Sequence, residues 1–223
     1  LRKKESLAFL IVVATVSCFP GPRVVNGTKA ERYEYPFILL HLTIVLNILI
    51  ILILYYNYIN NIIIIKYFPR SHCYNMFKQN VNDIALLELR AELIYNYRTV
   101  APIKLPEKNF EIVQVPEGES GILLGWGSNT TDLQLAELKI YSDEECNRRH
   151  EGKTTSDQIC GGVDEGGKGQ CTYDSGGPLI YNGDVQVGIV SWSRKPCALY
   201  PFPGVYTKVS HYIDWINSQL NEL

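Results

Sequence analysis

The sequence predicts an all-β protein of antiparallel strands that ends in one helix. From Cys73 onward, short β-type runs alternate with Gly, Pro and Asn, which are the residues of turns. Only the last stretch has apolar residues three and four positions apart, as on one face of a helix. The chain has 223 residues, of which 46% are hydrophobic and 20% charged, a composition typical of a folded globular protein.

The candidate strands follow one another at intervals that favour an antiparallel barrel or a sandwich. At this length, one all-β domain or two fused barrels are both expected. The apolar face of the predicted helix comprises Val209, Tyr212, Ile213, Ile216 and Leu220. The predicted strands are residues 84–89, 112–115, 121–126, 135–141, 178–181, 185–192 and 204–209.

The amino-terminal residues 1–18 are typical of a secretory signal peptide. Arg2, Lys3 and Lys4 precede an apolar stretch at 7–16 and then small residues. A short membrane anchor is the alternative, although about ten apolar residues are too few to span a bilayer. Secretion would place the six cysteines in an oxidising compartment, where they fit two or three disulfides.

The charge of the chain argues against nucleic acid as a partner. The formal net charge is -2 and no basic cluster is longer than residues 2–4, so nothing gathers phosphates. No Cys-x-x-Cys spacing suggests a metal site, and we expect neither a metal nor another cofactor.

Residues 37–73 include a segment whose composition differs from the rest of the chain. Ile, Leu, Asn and Tyr make up 26 of the 32 residues from 37 to 68, and Gly, Ala, Pro, Arg, Asp and Glu are missing. The residues present have A/T-rich codons, so the first interpretation is translated non-coding DNA such as a retained intron. The second is a transmembrane helix at 38–56, and the third is buried strands.

The most informative motif is the run 169–179, GQCTYDSGGPL. Its Ser175 lies in a glycine-rich turn, where the backbone can approach a substrate carbonyl and an N–H group can help to hold an oxyanion. Three further stretches accompany it in order: RVVNG at 23–27, DIALL at 83–87 and GWG at 125–127.

Together these four stretches resemble the chymotrypsin-like (trypsin-fold, S1 family) serine proteases, in an insect-type form. The resemblance covers residues 23–36 and 74–223. It implies two antiparallel Greek-key β-barrels with a C-terminal helix, of which the N-terminal barrel is incomplete here. It also implies a secreted endopeptidase that acts on peptides or proteins as a monomer.

By this resemblance, Ser175 is the nucleophile, Asp83 orients a catalytic histidine, and the N–H groups of Tyr173 and Ser175 form the oxyanion hole. Tyr173 stands where the family has glycine, which puts activity in doubt. The histidine belongs to an Ala-Ala-His-Cys motif that is missing, and its place falls in the segment 37–73.

None of the four histidines matches the missing base. His41 lies at a suitable distance before Asp83, but in an unbroken apolar run, and His72 is too close to Asp83. His150 and His211 are expected on a surface loop and on the C-terminal helix, as solvated side chains. The base therefore stays unidentified.

The resemblance also predicts activation by a trypsin-like protease. Residues 1–18 leave as the signal peptide, 19–23 form a short propeptide, and 24–223 form the peptidase domain. Cleavage after Arg23 frees the amino group of Val24, which pairs with the carboxylate of Asp174.

The specificity pocket by the same resemblance has Gly169 at its floor and Ser193 and Gly204 in its walls. Because the floor is not acidic, we expect large apolar residues rather than Lys or Arg before the cleaved bond. Ser191, Trp192 and Ser193 would pair with the substrate backbone.

The cysteines follow the family in two predicted disulfides, and because Cys18 would leave with the signal peptide, Cys73 is an odd thiol. The predicted pairs are Cys146 with Cys160 and Cys171 with Cys197.

Three functions are thus open. The first is a chymotrypsin-like endopeptidase that is inactive as written, with protein inhibitors as further partners. The second is a non-catalytic protease homologue that binds partners through the same cleft. The third is a membrane-tethered protein that uses residues 38–56 as its span.

Sequencing the mature transcript across codons 36–74 tests the interpretation of the anomalous segment. We expect Cys-Gly-Gly and Ala-Ala-His-Cys in place of the isoleucine-rich run. Recovery of the isoleucine-rich codons would contradict the retained-intron interpretation.

Overall fold

The computed structural model describes residues 24–32, 34–35, 81–89, 95–98, 101–108, 120–126, 132–171 and 174–221, and the backbone of two strands at 9–12 and 62–67. In that part of the chain no helix has the length and apolarity needed to cross a membrane. The span considered at 38–56 lies outside the described residues, as does the strand predicted at 112–115.

The described chain is mostly β, in two antiparallel sheets. The strands are β1 Phe9–Val12, β2 Thr28–Lys29, β3 Ile62–Tyr67, β4 Ala85–Leu89, β5 Ser120–Gly125, β6 Gln134–Tyr141, β7 Gln158–Gly162, β8 Pro178–Tyr181, β9 Val185–Trp192 and β10 Gly204–Lys208. The helices are α1 Asp143–Arg149, a 3₁₀ helix Val209–Tyr212 and α2 Ile213–Asn221.

The larger sheet closes into a barrel. Its order is β2-β6-β5-β8-β9-β10-β7, and β7 also pairs with β6, so six strands form a ring with β2 attached at β6. Because each strand of the ring has two neighbours, their backbone N–H and C=O groups are paired on both sides. The prediction of an all-β fold with a barrel and a C-terminal helix is confirmed.

The smaller sheet has three strands in the order β1-β4-β3. β1 lies within the predicted signal peptide and pairs with β4 from Phe9 opposite Glu88. β3 lies within the anomalous segment, where residues 62–67 form a strand; the burial that the third interpretation expects stays a prediction. The other residues of 37–73 are outside the described part.

Four described elements had no counterpart among the predicted ones, namely β1, β2, α1 and β7. Helix α1 is short and strongly charged, with no apolar periodicity, and it begins where Ser142 Oγ accepts a hydrogen bond from the Glu145 N–H group at 3.2 Å. Strand β7 is rich in glycine, which is unfavourable in strands, yet all its residues are buried between β6 and β10.

The barrel is filled by a cluster of apolar side chains from its own strands. Its members include Leu123, Ala136, Leu138, Ile159, Leu179, Val187, Val190 and Tyr206. A second cluster packs Ile84 and Leu86 against Ile189 of β9 and against Val209, Tyr212 and Ile216 of the C-terminal helices. This second cluster holds the segment that carries Asp83 against the outside of the barrel.

Truncation of Leu179 tests the energetic weight of the barrel core. Leu179 is 0% exposed, so Leu179→Ala leaves a cavity and should lower the free energy of unfolding by about 2–5 kcal/mol. Leu199, which is 39% exposed, provides the control, since Leu199→Ala should change it by about 0.5 kcal/mol or less. Urea denaturation measures both, and equal effects would contradict the assignment of the core.

Candidate active site

Ser175 lies on a tight turn that β9 holds in place. The N–H of Gly176 donates to the carbonyl of Val190 at 3.0 Å, and the N–H of Val190 donates to the carbonyl of Gly177 at 2.9 Å. A Cβ at Gly177 would lie 2.7 Å from the carbonyl oxygen of Leu124, so only glycine fits there. The turn leaves Ser175 half-buried at the start of β8.

Asp83 is buried beside the same part of β9. Asp83 is 5% exposed, and its Oδ2 accepts a hydrogen bond from Ser191 Oγ at 2.6 Å. The Asp83 carbonyl accepts from Thr207 Oγ1 at 2.8 Å. Because Ser191 follows Val190, one strand contacts both the turn of Ser175 and the carboxylate of Asp83.

The residues behind Asp83 hold its backbone. Asn82 has a φ of 54°, and its N–H donates to Asp157 Oδ2 at 3.0 Å. The hydroxyl of Tyr212 lies 2.8 Å from the same Oδ2 and 3.0 Å from Asn82 Oδ1. Burial opposes the ionisation of Asp157, but hydrogen bonds from Thr155, Asn82 and Tyr212 outweigh it and lower the pKa of its carboxyl.

Asp174 is fully buried next to Val24. Its Oδ2 accepts a hydrogen bond from the N–H of Cys171 at 3.0 Å. Val24 is 4% exposed, and both residues contact Gly125, where an added Cβ would collide with the Asp174 carboxylate and lie 3.3 Å from Val24 Cγ2. The structure therefore brings the first residue after the predicted cleavage site to Asp174.

The adjacent backbone is docked on Gly169, the predicted pocket floor. The N–H of Val25 donates to the carbonyl of Gly169 at 2.8 Å, and Gly169 has a φ of 154°. Arg23 lies outside the described residues, and so does Tyr173 of the predicted oxyanion hole.

The predicted pocket residues lie together. One further side chain, that of Gln170, lies among them and was not predicted. Gln170 is 2% exposed, and its Nε2 donates to the carbonyl of Trp192 at 2.8 Å and to that of Val205 at 3.0 Å. A Cβ on Gly204 would lie 2.7 Å from Gln170 Cγ. The only signal in the sequence was a long polar residue directly after Gly169.

The edge formed by Ser191–Ser193 extends beyond β8. The last residue of β9 that pairs with β8 is Ile189, opposite Pro178, whereas Trp192 pairs with Val205 of β10. Among the described residues neither Ser191 nor Ser193 pairs with β8, and the register between β9 and β10 shifts here, since Trp192 faces Val205 whereas Val190 faces Tyr206. This geometry suits the predicted pairing with an extended peptide.

His150 is buried, so its expected place on a solvated loop is wrong. It follows α1 directly and is 0% exposed. Its Nε2–H donates to the carbonyl of Pro203 at 3.0 Å, and its ring packs edge-on against Trp192, with the centroids 4.9 Å apart. Its Nδ1 has no partner among the described residues, and burial lowers the pKa of the ring to about 4.

The other described histidine does not reach the site either. His211 is exposed, as expected, and packs against Tyr212. Within the described ranges no hydrogen bond or ion pair joins a histidine to Asp83 or Ser175. His41 and His72 lie outside these ranges.

Both predicted disulfides are present. Cys146–Cys160 joins α1 to β7, and Cys171–Cys197 joins the segment before Ser175 to the pocket rim. Cys73 is outside the described residues. Among the residues that are described, no group of three or more His, Cys, Asp or Glu side chains could hold a metal ion.

Comparison with known proteins identifies the family. The Trypsin family model matches residues 61–216. Trypsin II-P29 of Gallus gallus is 40% identical over 146 residues, which are 62% of this chain and 56% of that protein. Kallikrein-11 of Homo sapiens is 36% identical over 150 residues, which are 64% of this chain and 51% of that protein.

A solved structure agrees with these relatives. Neuropsin, a serine protease expressed in the limbic system of mouse brain, is 32% identical, with a TM-score of 0.59 over 70% of each chain. The chain therefore belongs to the trypsin family of chymotrypsin-like serine proteases. It spans about half the length of the curated relatives it matches, and the insect-type form stays a prediction.

The buried His150 should make stability depend on pH. Its pKa falls from 6.5 to about 4 on folding, so between these values the unfolded chain binds the proton and the folded chain does not. The contribution of His150 is thus complete above about pH 6.5 and is lost progressively as the pH falls toward 4.

We expect His150→Phe to flatten this part of the stability curve, measured by denaturant unfolding at several pH values. His211→Gln, on an exposed side chain, is the matched control and should leave the curve unchanged. An unaltered slope in His150→Phe would show that the histidine is not buried as a neutral ring.

Proposed function

We propose that this chain is a serine endopeptidase of the chymotrypsin type that cleaves peptide bonds by acyl transfer. The observation that carries the proposal is the hydrogen bond between Ser191 and Asp83 next to the turn of Ser175. Asp83, through Ser191, and the turn of Ser175, through Val190, both contact β9 just before its predicted peptide-binding edge, which supports the proposal.

In the proposed reaction, Ser175 Oγ attacks the carbonyl carbon of the scissile bond while a base takes its proton. The N–H groups of Tyr173 and Ser175 would hold the oxyanion. The base then gives the proton to the leaving amine, and water releases the acyl group by the same steps in reverse. Asp83 would orient the base and stabilise its protonated form.

The chain as written lacks an identified base, and we propose that it does not turn over peptides. A serine hydroxyl is a weak nucleophile until a neighbouring group takes its proton. Neither His150 nor His211 bonds to Ser175 or Asp83, since His150 donates to Pro203 and His211 is exposed.

Activation is proposed to follow cleavage after Arg23 by a trypsin-like protease. The freed α-amino group of Val24 would pair with the buried carboxylate of Asp174. The burial of Val24, its contact with Gly125 beside Asp174 and the docking of Val25 on Gly169 support this step. The ion pair would join the new terminus to the turn of Ser175.

Secretion, peptide or protein substrates, and protein inhibitors as partners belong to the same proposal. The two disulfides support an oxidising compartment. The preference for large apolar residues stays a prediction from Gly169, Ser193 and Gly204, and it requires the Gln170 side chain to leave the space beside Gly204.

A non-catalytic protease homologue is the second candidate function. It would use the edge at Ser191–Ser193 to bind a peptide without cleaving it. Tyr173, which stands where the family has glycine, favours this candidate.

Added imidazole tests whether Ser175 and Asp83 are assembled for acyl transfer. The purified chain is first cleaved after Arg23 by immobilised trypsin, which is then removed, and we expect no hydrolysis of peptide amides by the product. Imidazole at millimolar concentrations should replace the missing base. In its presence the wild type should hydrolyse an activated N-acyl amino acid ester at least about tenfold faster than Ser175→Ala does.

Ser218→Ala is the matched control, because Ser218 is an exposed serine on α2 and should keep the full imidazole-dependent rate. A peptidase rate without imidazole that Ser175→Ala abolishes would contradict the proposed inactivity. Equal rates for the wild type and Ser175→Ala at every imidazole concentration would contradict the assignment of Ser175 and favour the second candidate.

A further inference from the structure

We propose that the Gln170 side chain fills the specificity pocket and restricts it to substrates with Gly, Ala or Ser before the cleaved bond. The inference deepens the proposed function and rests on it for the identity of the pocket. Gln170 is not one of the residues that the family resemblance assigned to this pocket. Its place follows from its contacts alone.

The Gln170 amide is hydrogen-bonded to two paired strands, β9 and β10. Trp192 and Val205 face one another across β9 and β10, and the register shifts directly after Val205. Both N–H bonds of the amide are used there, one on each carbonyl. These two hydrogen bonds to neighbouring strands hold the side chain in one position, because leaving it would lose both of them.

The stem of Gln170 occupies the space next to Gly204. Cγ and Nε2 each lie 2.7 Å from the point where a Cβ on Gly204 would be. That is closer than carbon atoms approach one another without a bond, so the pocket wall at Gly204 is already in contact with protein atoms. A phenyl or indole ring directed at this wall would meet the Gln170 side chain instead of an open pocket.

The chemistry of the filled pocket favours small side chains. An aromatic substrate residue would have to expel a hydrogen-bonded amide that is 2% exposed, and its apolar ring would not replace the two donated hydrogen bonds. Glycine, alanine or serine needs no such displacement. The preference for large apolar residues predicted from Gly169, Ser193 and Gly204 would therefore hold only for a pocket that the Gln170 side chain did not fill.

The first test measures binding of indole, a neutral aromatic probe, by calorimetry, and needs no catalysis. We expect no saturable binding to the wild type and at least about tenfold tighter binding to Gln170→Ala. Gln170→Glu should also bind indole, because a carboxylate cannot donate to the carbonyls of Trp192 and Val205. Gln186→Ala is the matched control, since Gln186 is a buried glutamine near the other end of β9.

A second test locates the side chain without any ligand. Gly204→Ala should lower Tm by several degrees in the wild type, where the new Cβ meets Gln170, and by much less in the Gln170→Ala background. Equal losses in both backgrounds would place Gln170 elsewhere and overturn the proposal. Thermal unfolding followed by circular dichroism measures all four proteins.

The outcomes separate this proposal from the peptidase proposal. Equal indole binding by the wild type and Gln170→Ala, or no binding by either, overturns the filled pocket whatever the catalytic result. In the imidazole assay, the wild type should prefer an alanine ester to a phenylalanine ester, and Gln170→Ala should reverse that preference. Indole binding restricted to the Gln170 variants, without any Ser175-dependent rate, would support the pocket and refute the peptidase.

Discussion

The buried carboxylate of Asp83 is the interaction on which the arrangement of the site depends. It lies outside the barrel, on the segment before β4, yet its Oδ2 accepts a hydrogen bond from Ser191 at 2.6 Å. A buried carboxylate is costly unless it is hydrogen-bonded, so the donor that β9 supplies favours docking of the segment at this place. The apolar contacts of Ile84 and Leu86 act in the same direction, and they hold Asp83 against the strand that also bonds to the turn of Ser175.

Asp174 shows the same principle on the other side of Ser175. It is fully buried, and its Oδ2 is held by the N–H of Cys171, whose disulfide to Cys197 joins it to the pocket rim. The serine turn is thus supported by a carboxylate on each side: Asp83 through β9 and Asp174 through its own loop. Both supports come from residues after position 80, so neither involves the anomalous residues 37–73.

Local patterns in the sequence predicted the strands well where a strand alternates or is continuously apolar. The predicted runs at 178–181 and 185–192 agree with β8 and β9 to the residue. Helix α1 and β7 were missed because a charged short helix and a glycine-rich buried strand are stabilised by tertiary contacts rather than by local pattern. His150 and Gln170 were misjudged or missed for a related reason: whether a polar side chain is buried depends on which carbonyls the fold places within its reach.

Closure of the barrel makes the carboxyl half a cooperative unit of its own. Six strands from β5 to β10 pair in a ring, and their core is made almost entirely of side chains from those strands. The stability of such a unit depends little on the amino-terminal sheet, because the edges of its strands are already paired. Changes in the amino-terminal residues should therefore destabilise the barrel less than changes within its six strands.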